Sequence, residues 1–276
     1  MRYRPAELVL LFFVYACMGW CAEVAFAACK HGRFVNRGFL NGPVCPIYGF
    51  GMVIVAVLLQ PLQGSLALLF LGSFVLTTLL ELVTGIVLEK LFHTRWWDYS
   101  RVPLNIGGYV CLLFSLIWGT ACVAVLKWVH TPIYAVVHRI PDTMLYITDA
   151  ALCVVIAADL EATLLSIRKL TDRLTRLTAV AKDMRMLSDE MGESIAEHTI
   201  AAKERYETGR DFAEQKKAAL EQRLYELRAH RDALLRETHF GHRRLLEAFP
   251  NMRSLRHGEA LNHLRKSLRI KRGRTR

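Results

Sequence analysis

The sequence lacks the motifs by which most enzyme classes are recognised. It contains no G-x-x-x-x-G-K-[ST] phosphate loop, so this chain does not bind ATP in that manner. The G-x-S-x-G and H-E-x-x-H patterns are absent as well. Seven cysteines are present, but they form no C-x-x-C pair, which indicates neither a zinc site nor a disulfide framework. We therefore expect no enzymatic activity in this chain, no catalytic residue, no metal and no cofactor.

Proline is also missing over a long stretch, from position 142 to position 249. Most of this stretch is rich in Leu, Ala, Glu, Lys and Arg, which favour helix, so we expect one long helix or a helical hairpin. A seven-residue apolar repeat predicts a coiled coil that would join copies of the chain; the alternative is a solvated charged helix without a fixed partner. The apolar pairs are Ile167/Leu170, Leu174/Leu177, Ala181/Met184, Ser188/Met191 and Ile195/His198, followed by a second seam at Leu220, Leu224, Leu227 and Leu234. The shift of register between the seams predicts a break at Gly192 or Gly209.

Charge is scarce in the first part of the chain, where residues 1–160 contain ten Lys+Arg and eight Asp+Glu. Apolar runs fill this part and predict an all-α, polytopic helical membrane protein with about five transmembrane helices. The runs are 6–28, 66–88 and 106–129, with a short one at 47–60 and a more polar one at 143–165. With five crossings, the basic tail and the two most basic loops lie on the same side of the membrane. The positive-inside rule then predicts a multi-pass protein of the cell (inner) membrane, with its amino terminus outside and its carboxyl terminus cytoplasmic.

The chain is expected to divide into a transmembrane body at 1–165, a cytoplasmic helical or coiled-coil extension at 166–248 and a basic tail at 249–276. From residue 251 onward nine Lys+Arg stand against a single acid, and leucines recur at near-helical spacing. This pattern predicts a basic amphipathic helix that runs into a disordered end and binds membrane lipids, with a plain solvated tail as the alternative. Nucleic acid is not favoured, because no stacking aromatics are interleaved with the charges. The lipid-binding candidates are Arg265, Lys266, Arg269, Lys271 and Arg272.

The stretch NRGFLNGPVCPIYGFG at residues 36–51 interrupts two apolar runs with four glycines and two prolines. Glycine permits positive φ and proline removes a donor, so we expect non-helical backbone here and a broken or re-entrant element. Irregular backbone at membrane depth is tolerated only where it is buried in protein or lines a polar cavity. The sequence therefore predicts that a functional site lies beside this stretch.

Three carboxylates, Glu23, Glu81 and Glu89, are expected near the cytoplasmic ends of their helices, beside the arginines of the basic loops. An unpaired charge near hydrocarbon is costly, so we expect ion pairs. Two interpretations stay open: the pairs pin loops to helix ends, or the cluster lines or gates a substrate path. The candidate residues are Glu23, Asn36, Arg37, Asn41, Cys45, Tyr48, Glu81, Glu89, Trp97, Asp98 and Asn105.

Several sequence blocks are shared with a known family. They are Gly19-Trp20 with Glu23, residues 36–40, Gly42-Pro43, residues 45–51, Glu81, residues 89–92, 96–100 and 103–105, and residues 115–119. Through these blocks, over about residues 10–130, the chain resembles a bacterial membrane family of type IV ABC transporters, which are permease-like proteins. Tyr109 departs from the family pattern, in which a basic residue is commoner at this position.

The resemblance implies a function in transport. It also implies that a separate ATPase subunit supplies the energy and engages the loops at 30–46 and 92–105. The competing hypothesis is a membrane-anchored scaffold or regulatory protein whose extension recruits partners.

Overall fold

The computed structural model describes residues 3–201, 210–237 and 240–268. Within these ranges the regular secondary structure is helical apart from four two-residue strands. Its contacts divide into two compact units, the first containing residues 3–167 with 241–256 and the second containing 168–240 with 257–268. This division separates the two parts of the predicted tail, 249–256 from 257–268, and the predicted domain boundaries stay predictions.

The first unit is built from apolar helices. They are α1 (Pro5–His31), α2 (Pro46–Leu58), α3 (Leu66–Phe92), α4 (Leu112–Ala124) and α5 (Thr131–His138), with the start of α6 (Asp142–Ala201). A π-helical turn, Val125–His130, joins α4 to α5 in one continuous helix. Gly32, at φ +65°, ends α1 in the left-handed conformation that glycine adopts without strain.

In the part of the chain that the structure describes, four helices are long and apolar enough to cross a membrane. They are Pro5–Lys30, Leu66–Phe92, Leu112–His138 and Asp142–Ser194, while Pro46–Leu58 is a shorter apolar helix. The 13 residues of α2 span about 20 Å, less than the roughly 30 Å of a hydrocarbon core. The all-α polytopic fold class is confirmed, with α2 as the short segment that the sequence predicts.

The irregular stretch is shorter than expected. Residues 36–45 are non-helical, but α2 begins at Pro46. Gly49 and Gly51 therefore lie inside a regular helix, as the apolar run at 47–60 predicts and the expected irregular backbone over 36–51 does not. Proline at the first helical position lacks only an N–H that would have no partner there. A Cβ added to Gly49 would lie 2.6 Å from Phe12 of α1. This glycine therefore serves close helix packing, as small residues do in membrane proteins, and not a bend.

Residues 93–111 fold back along α3 instead of forming an open loop. They contain β1 (Thr94–Arg95), β2 (Asn105–Ile106) and β3 (Val110–Cys111), and β2 pairs with β3 in an antiparallel hairpin. Gly107 and Gly108 turn this hairpin at φ +59° and +77°. The side chain of Tyr109 packs on Gly85, where an added Cβ would come within 2.9 Å of the ring.

Residues Gly241–Arg256, here called the return segment, also belong to the first unit. They contain most of α8 (Phe240–Ala248) and β4 (Arg253–Ser254), and β4 pairs with β1 in the register Thr94↔Ser254. Leu245 and Leu246 are fully buried. The return segment is therefore a packed part of the body's fold, which its amphipathic sequence does not reveal.

In the second unit, α6 and α7 (Arg210–Arg236) form an antiparallel pair. The guanidinium of Arg173 donates to the carbonyl of Leu234 at 2.8 and 2.6 Å, which joins the middle of α6 to the end of α7. Between the two alternatives that the sequence left open, the described residues form the hairpin. The predicted break at Gly192 is wrong, since Gly192 lies within α6, and Gly209 lies outside the described residues.

The buried seam of α6 differs from the predicted one after Leu177. Val180 and Leu187 are buried, each 6% exposed, whereas Ala181 and Ser188 are exposed. Val180 and Leu187 carry larger apolar side chains than their neighbours, so turning the helix by one residue removes more apolar surface from water. Whether copies of the chain form a coiled coil through this seam stays a prediction.

Helix α9 (Gly258–Ser267) is the amphipathic helix that the basic tail predicts. Its residues Leu261 and Leu264 are buried inside the second unit, and Arg265 is only 4% exposed, while Lys266 is exposed. An amphipathic pattern does not distinguish a protein surface from a lipid surface, and here the apolar face packs on protein. Lipid binding by this tail stays a prediction, and its candidates Arg269, Lys271 and Arg272 lie outside the described residues.

Candidate substrate path

Two asparagines of the predicted site hold the 36–45 loop together. The Oδ1 atom of Asn36 accepts hydrogen bonds from the Trp20 indole at 2.8 Å and from the Gly38 amide at 3.0 Å. The Asn36 side-chain amide donates to the carbonyl of Asn41 at 2.7 Å. These bonds satisfy backbone groups that no helix or strand would pair.

Asp159 of α6 completes this loop, although it was not among the predicted site residues. Its carboxylate accepts hydrogen bonds from the Asn41 amide at 3.0 Å, from the Asn41 side chain at 2.8 Å and from the Gly42 amide at 2.7 Å. Thr163, one turn later on α6, accepts a further bond from Asn41 at 3.0 Å. Asp159 therefore binds the amides of this loop, a role that its place in an apolar run does not indicate.

Glu23 is the first of the three expected carboxylates, and it is paired. Its Oε2 atom lies 3.0 Å from Nε of Arg37, and its Oε1 atom accepts a hydrogen bond from the Tyr48 hydroxyl at 2.6 Å. Cys45 precedes α2 beside this pair and is buried. Residues from α1, the 36–45 loop and α2 thus meet at Glu23, as the sequence predicts.

Glu89 is paired as well, near the end of α3. Its carboxylate lies 2.6 Å from Nε of Arg95, and Nη1 of the same guanidinium donates to the carbonyl of Gly107 at 3.2 Å. The Arg95 guanidinium stacks over the ring of Tyr109 at 4.9 Å. The tyrosine that departs from the family pattern is therefore an aromatic partner for a cation.

Trp97, Asp98 and Asn105 order the 93–111 segment instead of facing an open path. The Trp97 indole donates to the carbonyl of Tyr109 at 2.8 Å, and Asn105 accepts from the Gly108 amide at 3.0 Å. Although burial alone raises the pKa of Asp98, hydrogen bonds from Ser100 and from Arg253 outweigh it and lower the pKa to about 2. Asp98 therefore stays ionised and ties the return segment to this loop through Arg253 at 2.8 Å.

Glu81 differs from the other two carboxylates. It lies 11 residues, or about 16 Å, before the end of α3, so the expected place near a helix end is wrong. The residue is 9% exposed, and its Oε2 atom has no hydrogen-bond partner within the described ranges. The expected ion pair is not formed among these residues, where Arg37 pairs with Glu23 and Arg95 with Glu89.

Tyr99 is the neighbour that connects the two inner carboxylates. Its hydroxyl interacts electrostatically with Glu81 and, more weakly, with Glu23. Burial, followed by the charge of Glu81, raises the pKa of Tyr99 above its ordinary value, so the phenol keeps its proton. We call Glu23, Arg37, Tyr48, Glu81 and Tyr99 the inner polar cluster. The remaining predicted residues belong to the two loops around it, apart from Glu89 near the end of α3.

Arg244 of the return segment is a contact that sequence analysis missed. Its Nη1 atom donates to the carbonyls of Gly38 and Leu40, each at 2.9 Å, and its Nη2 atom donates to the carbonyl of Phe39 at 3.0 Å. Burial lowers the pKa of this guanidinium, and the charge of Asp159 offsets part of the shift. An arginine in a charged helix looks solvated in the sequence, so no local signal could have revealed this role.

A tryptophan is buried where the return segment meets the loops. Trp96 is 4% exposed, and its ring lies 4.9 Å from that of Phe249 and 5.1 Å from that of Phe39. Here the indole packs inside the protein.

A second polar group near the start of α1 was also missed. His130, at the π-helical turn, is hydrogen-bonded by the hydroxyl of Tyr3 at 2.7 Å and by that of Tyr15 at 2.6 Å. Glu7 is fully buried and bonded to His138 at 2.6 Å. These residues lie more than a hundred positions apart, so their contact is a tertiary property.

Comparison with known proteins agrees with this architecture. Residues 10–164, more than half of the chain, match a family model, and the match extends beyond the blocks noted above to include Asp159. No curated protein and no solved structure matches the chain. The apolar helices and the family together indicate a membrane protein. The chain therefore belongs to the family described as "Putative ABC-transporter type IV".

Proposed function

We propose that this protein is a permease-like component of a transport system and that the inner polar cluster lines or gates its substrate path. The observation that carries the proposal is the burial of Glu81 well inside the apolar helix α3, where it interacts with Tyr99, whose phenol also feels the charge of Glu23. Ionisable groups at membrane depth are costly, and in membrane proteins they commonly mark ion or substrate pathways. Pairs that only pinned loops would lie at helix ends, as Glu89 with Arg95 does.

The proposed gate consists of the two loops and the return segment. Trp97 and Tyr109 pack on Gly85, one helical turn from Glu81. Arg244 holds the backbone of residues 38–40, and Arg253 holds Asp98 in the other loop. A substrate that enters from this end must displace these contacts, so the loops and the return segment would open together.

The energy would come from a separate ATPase subunit, because this chain carries no phosphate loop. We place the loops at 30–46 and 92–105 on the cytoplasmic face of the cell membrane, where such a subunit could engage them. Affinity purification of the full chain in mild detergent tests this arrangement, and the expected result is a co-purifying ATPase. Its consistent absence, with the chain folded and monodisperse, would count against the permease proposal.

The second candidate function is a membrane-anchored scaffold, and the separate compact unit at 168–240 favours it. The chain positions that flank residues 168–240 lie close together, since a Cβ added to Gly241 would lie only 2.6 Å from Oγ of Ser166. Residues 168–240 can therefore be replaced by a short flexible linker, with the chain ended after Arg256, while the return segment is retained. If this variant keeps the cellular phenotype and Glu81→Gln abolishes it, the scaffold is wrong; the opposite pattern excludes the permease.

A further inference from the structure

A polar stripe runs along the inner face of α3. Ser73, Thr77, Glu81 and Gly85 follow one another at four-residue intervals, so successive members lie on the same side of the helix. Ser73, Glu81 and Gly85 are buried. The opposite side is apolar and exposed, at Leu71, Val75, Leu79, Val83 and Val87. The helix therefore presents apolar residues to the surroundings and polar or small residues to the protein interior.

Glu81 is the one member of this stripe that carries a charge when ionised. More than nine-tenths of the residue is buried, and within the described ranges its Oε2 atom has neither a donor nor a cation. A buried carboxylate with the phenol of Tyr99 as its near polar neighbour and no cation is unfavourable in a medium of low dielectric constant, and adding a proton removes the charge. Glu23, in contrast, is paired with Arg37 and accepts a hydrogen bond from the hydroxyl of Tyr48.

The surroundings of Glu81 suit a proton better than a metal ion. Metal cations such as Mg²⁺ and Ca²⁺ bind about six or more oxygen ligands. The described residues contain no group of three or more His, Cys, Asp or Glu that could hold a metal. The hydroxyl of Thr77 already donates to the carbonyl of Ser73 at 2.8 Å, which leaves the phenol of Tyr99 as the near polar neighbour.

The groups that face this site come from several elements. Tyr99 from the 93–111 segment interacts with Glu81 directly. Behind Tyr99 lie Cys111 of β3 and Glu23 of α1. Glu23 is in turn bound to Arg37 and to Tyr48 of α2. A proton that binds at Glu81 therefore changes the charge next to a phenol that links both inner carboxylates.

We propose that Glu81 reversibly binds a proton and makes the path through the inner polar cluster proton-linked. This inference rests on the proposed function, because it names the proton as the ion that binds in the proposed path. The proton adds to a carboxylate oxygen and leaves to water, so no cofactor is required.

Difference infrared spectroscopy tests the proposal on the full-length protein in lipid nanodiscs, titrated over pH. The expected result is a protonated-carboxyl C=O band that appears and disappears with pH, is absent in Glu81→Gln and is retained in Glu89→Gln. Glu89 is the matched control, because it lies on the same helix but is paired with Arg95 at 2.6 Å. A titrating band that persists in Glu81→Gln would overturn the proposal, as would the lack of any protonated-carboxyl band in the wild type.

Two further variants keep the test decisive if Glu81→Gln does not fold. Glu81→Asp retains the carboxyl and should shift the frequency of the band without removing it. Tyr99→Phe removes the neighbouring hydroxyl and should shift both the band and its midpoint, and an unchanged band in both variants would overturn the assignment. The titration requires no transport, so its failure is distinguishable from failure of the proposed function, which the ATPase co-purification tests separately.

Discussion

Replacing Arg244 with alanine removes the side chain that ties the return segment to the 36–45 loop. The guanidinium donates to the carbonyls of residues 38, 39 and 40 at 2.9 to 3.0 Å. Arg244 is 9% exposed, so solvent does little to replace these bonds while the segment stays packed. The expected result is local detachment of α8 from the body with the membrane helices intact.

The size of the effect follows from the bonds that are lost. A hydrogen bond that involves a charged group contributes about 1.5–3 kcal/mol, and bonds that share one donor group are not additive. Water that enters beside the shortened side chain recovers part of this energy. We therefore expect docking to weaken by about 3 kcal/mol, which corresponds to roughly a 150-fold change in the opening equilibrium.

Hydrogen–deuterium exchange of the purified protein measures this opening directly. The amides of α8 and of residues 38–42 should exchange roughly 100-fold faster in Arg244→Ala, while those of α3 should be unaffected. Arg244→Lys keeps the charge but lacks the planar fork, so it should lose most of the protection as well.

Arg243 provides a matched control on the same helix. Its side chain is 64% exposed and forms an ion pair with Glu247 at 3.2 Å within one helical turn. Such a pair contributes about 0.3–0.5 kcal/mol, so Arg243→Ala should change exchange by only about twofold. Equal protection in Arg244→Ala and Arg243→Ala would refute the docking reasoning.

Two further predictions concern pH and helix packing. The folded pKa of Asp98, about 2, is below its ordinary value of 3.8, so its pairing with Arg253 stabilises the fold above about pH 4 and is lost as pH falls towards 2. Solvent screening limits this contribution to about 1 kcal/mol, and in thermal unfolding the gap between wild type and Arg253→Ala should close at low pH; a constant gap would contradict the assignment. Gly19→Ala places a Cβ 2.2 Å from the Tyr48 ring and should lower the free energy of unfolding by about 1–3 kcal/mol. Gly64→Ala, with nothing within 4 Å, is the control, and equal unfolding curves for the two variants would show that α1 and α2 do not pack as described.

The body of the fold could be predicted because its signal is local. Runs of apolar residues long enough to cross a bilayer identify α1, α3 and the α4–α5 helix whatever surrounds them. The irregular backbone at 36–45 follows in the same way from its glycine and proline content. Composition did not reveal that Gly49 of α2 packs against Phe12 of α1. A glycine that permits a bend and a glycine that permits close helix packing look the same in a sequence.

The candidate site was predicted in part. Glu23 and Arg37 are close in sequence, and their pairing was expected from charge alone. The lack of an ion pair at Glu81 among the described residues was not expected, because it depends on how α3 packs against the loops. Asp159 was missed for a related reason: it lies 118 residues from the Asn41 amide that it binds.

The sequence by itself determined that this chain is a helical membrane protein of a transporter family, since hydrophobic run length and shared sequence blocks need no three-dimensional context. Only the tertiary structure decided that residues 241–256 pack with the body and that Arg244 binds three loop carbonyls. It also decided that Glu81 is left without an ion pair among the described residues. The physical reason is that the burial and pairing of a side chain depend on which residues, distant in sequence, contact it in the fold. Neither composition nor periodicity specifies these contacts for an individual residue.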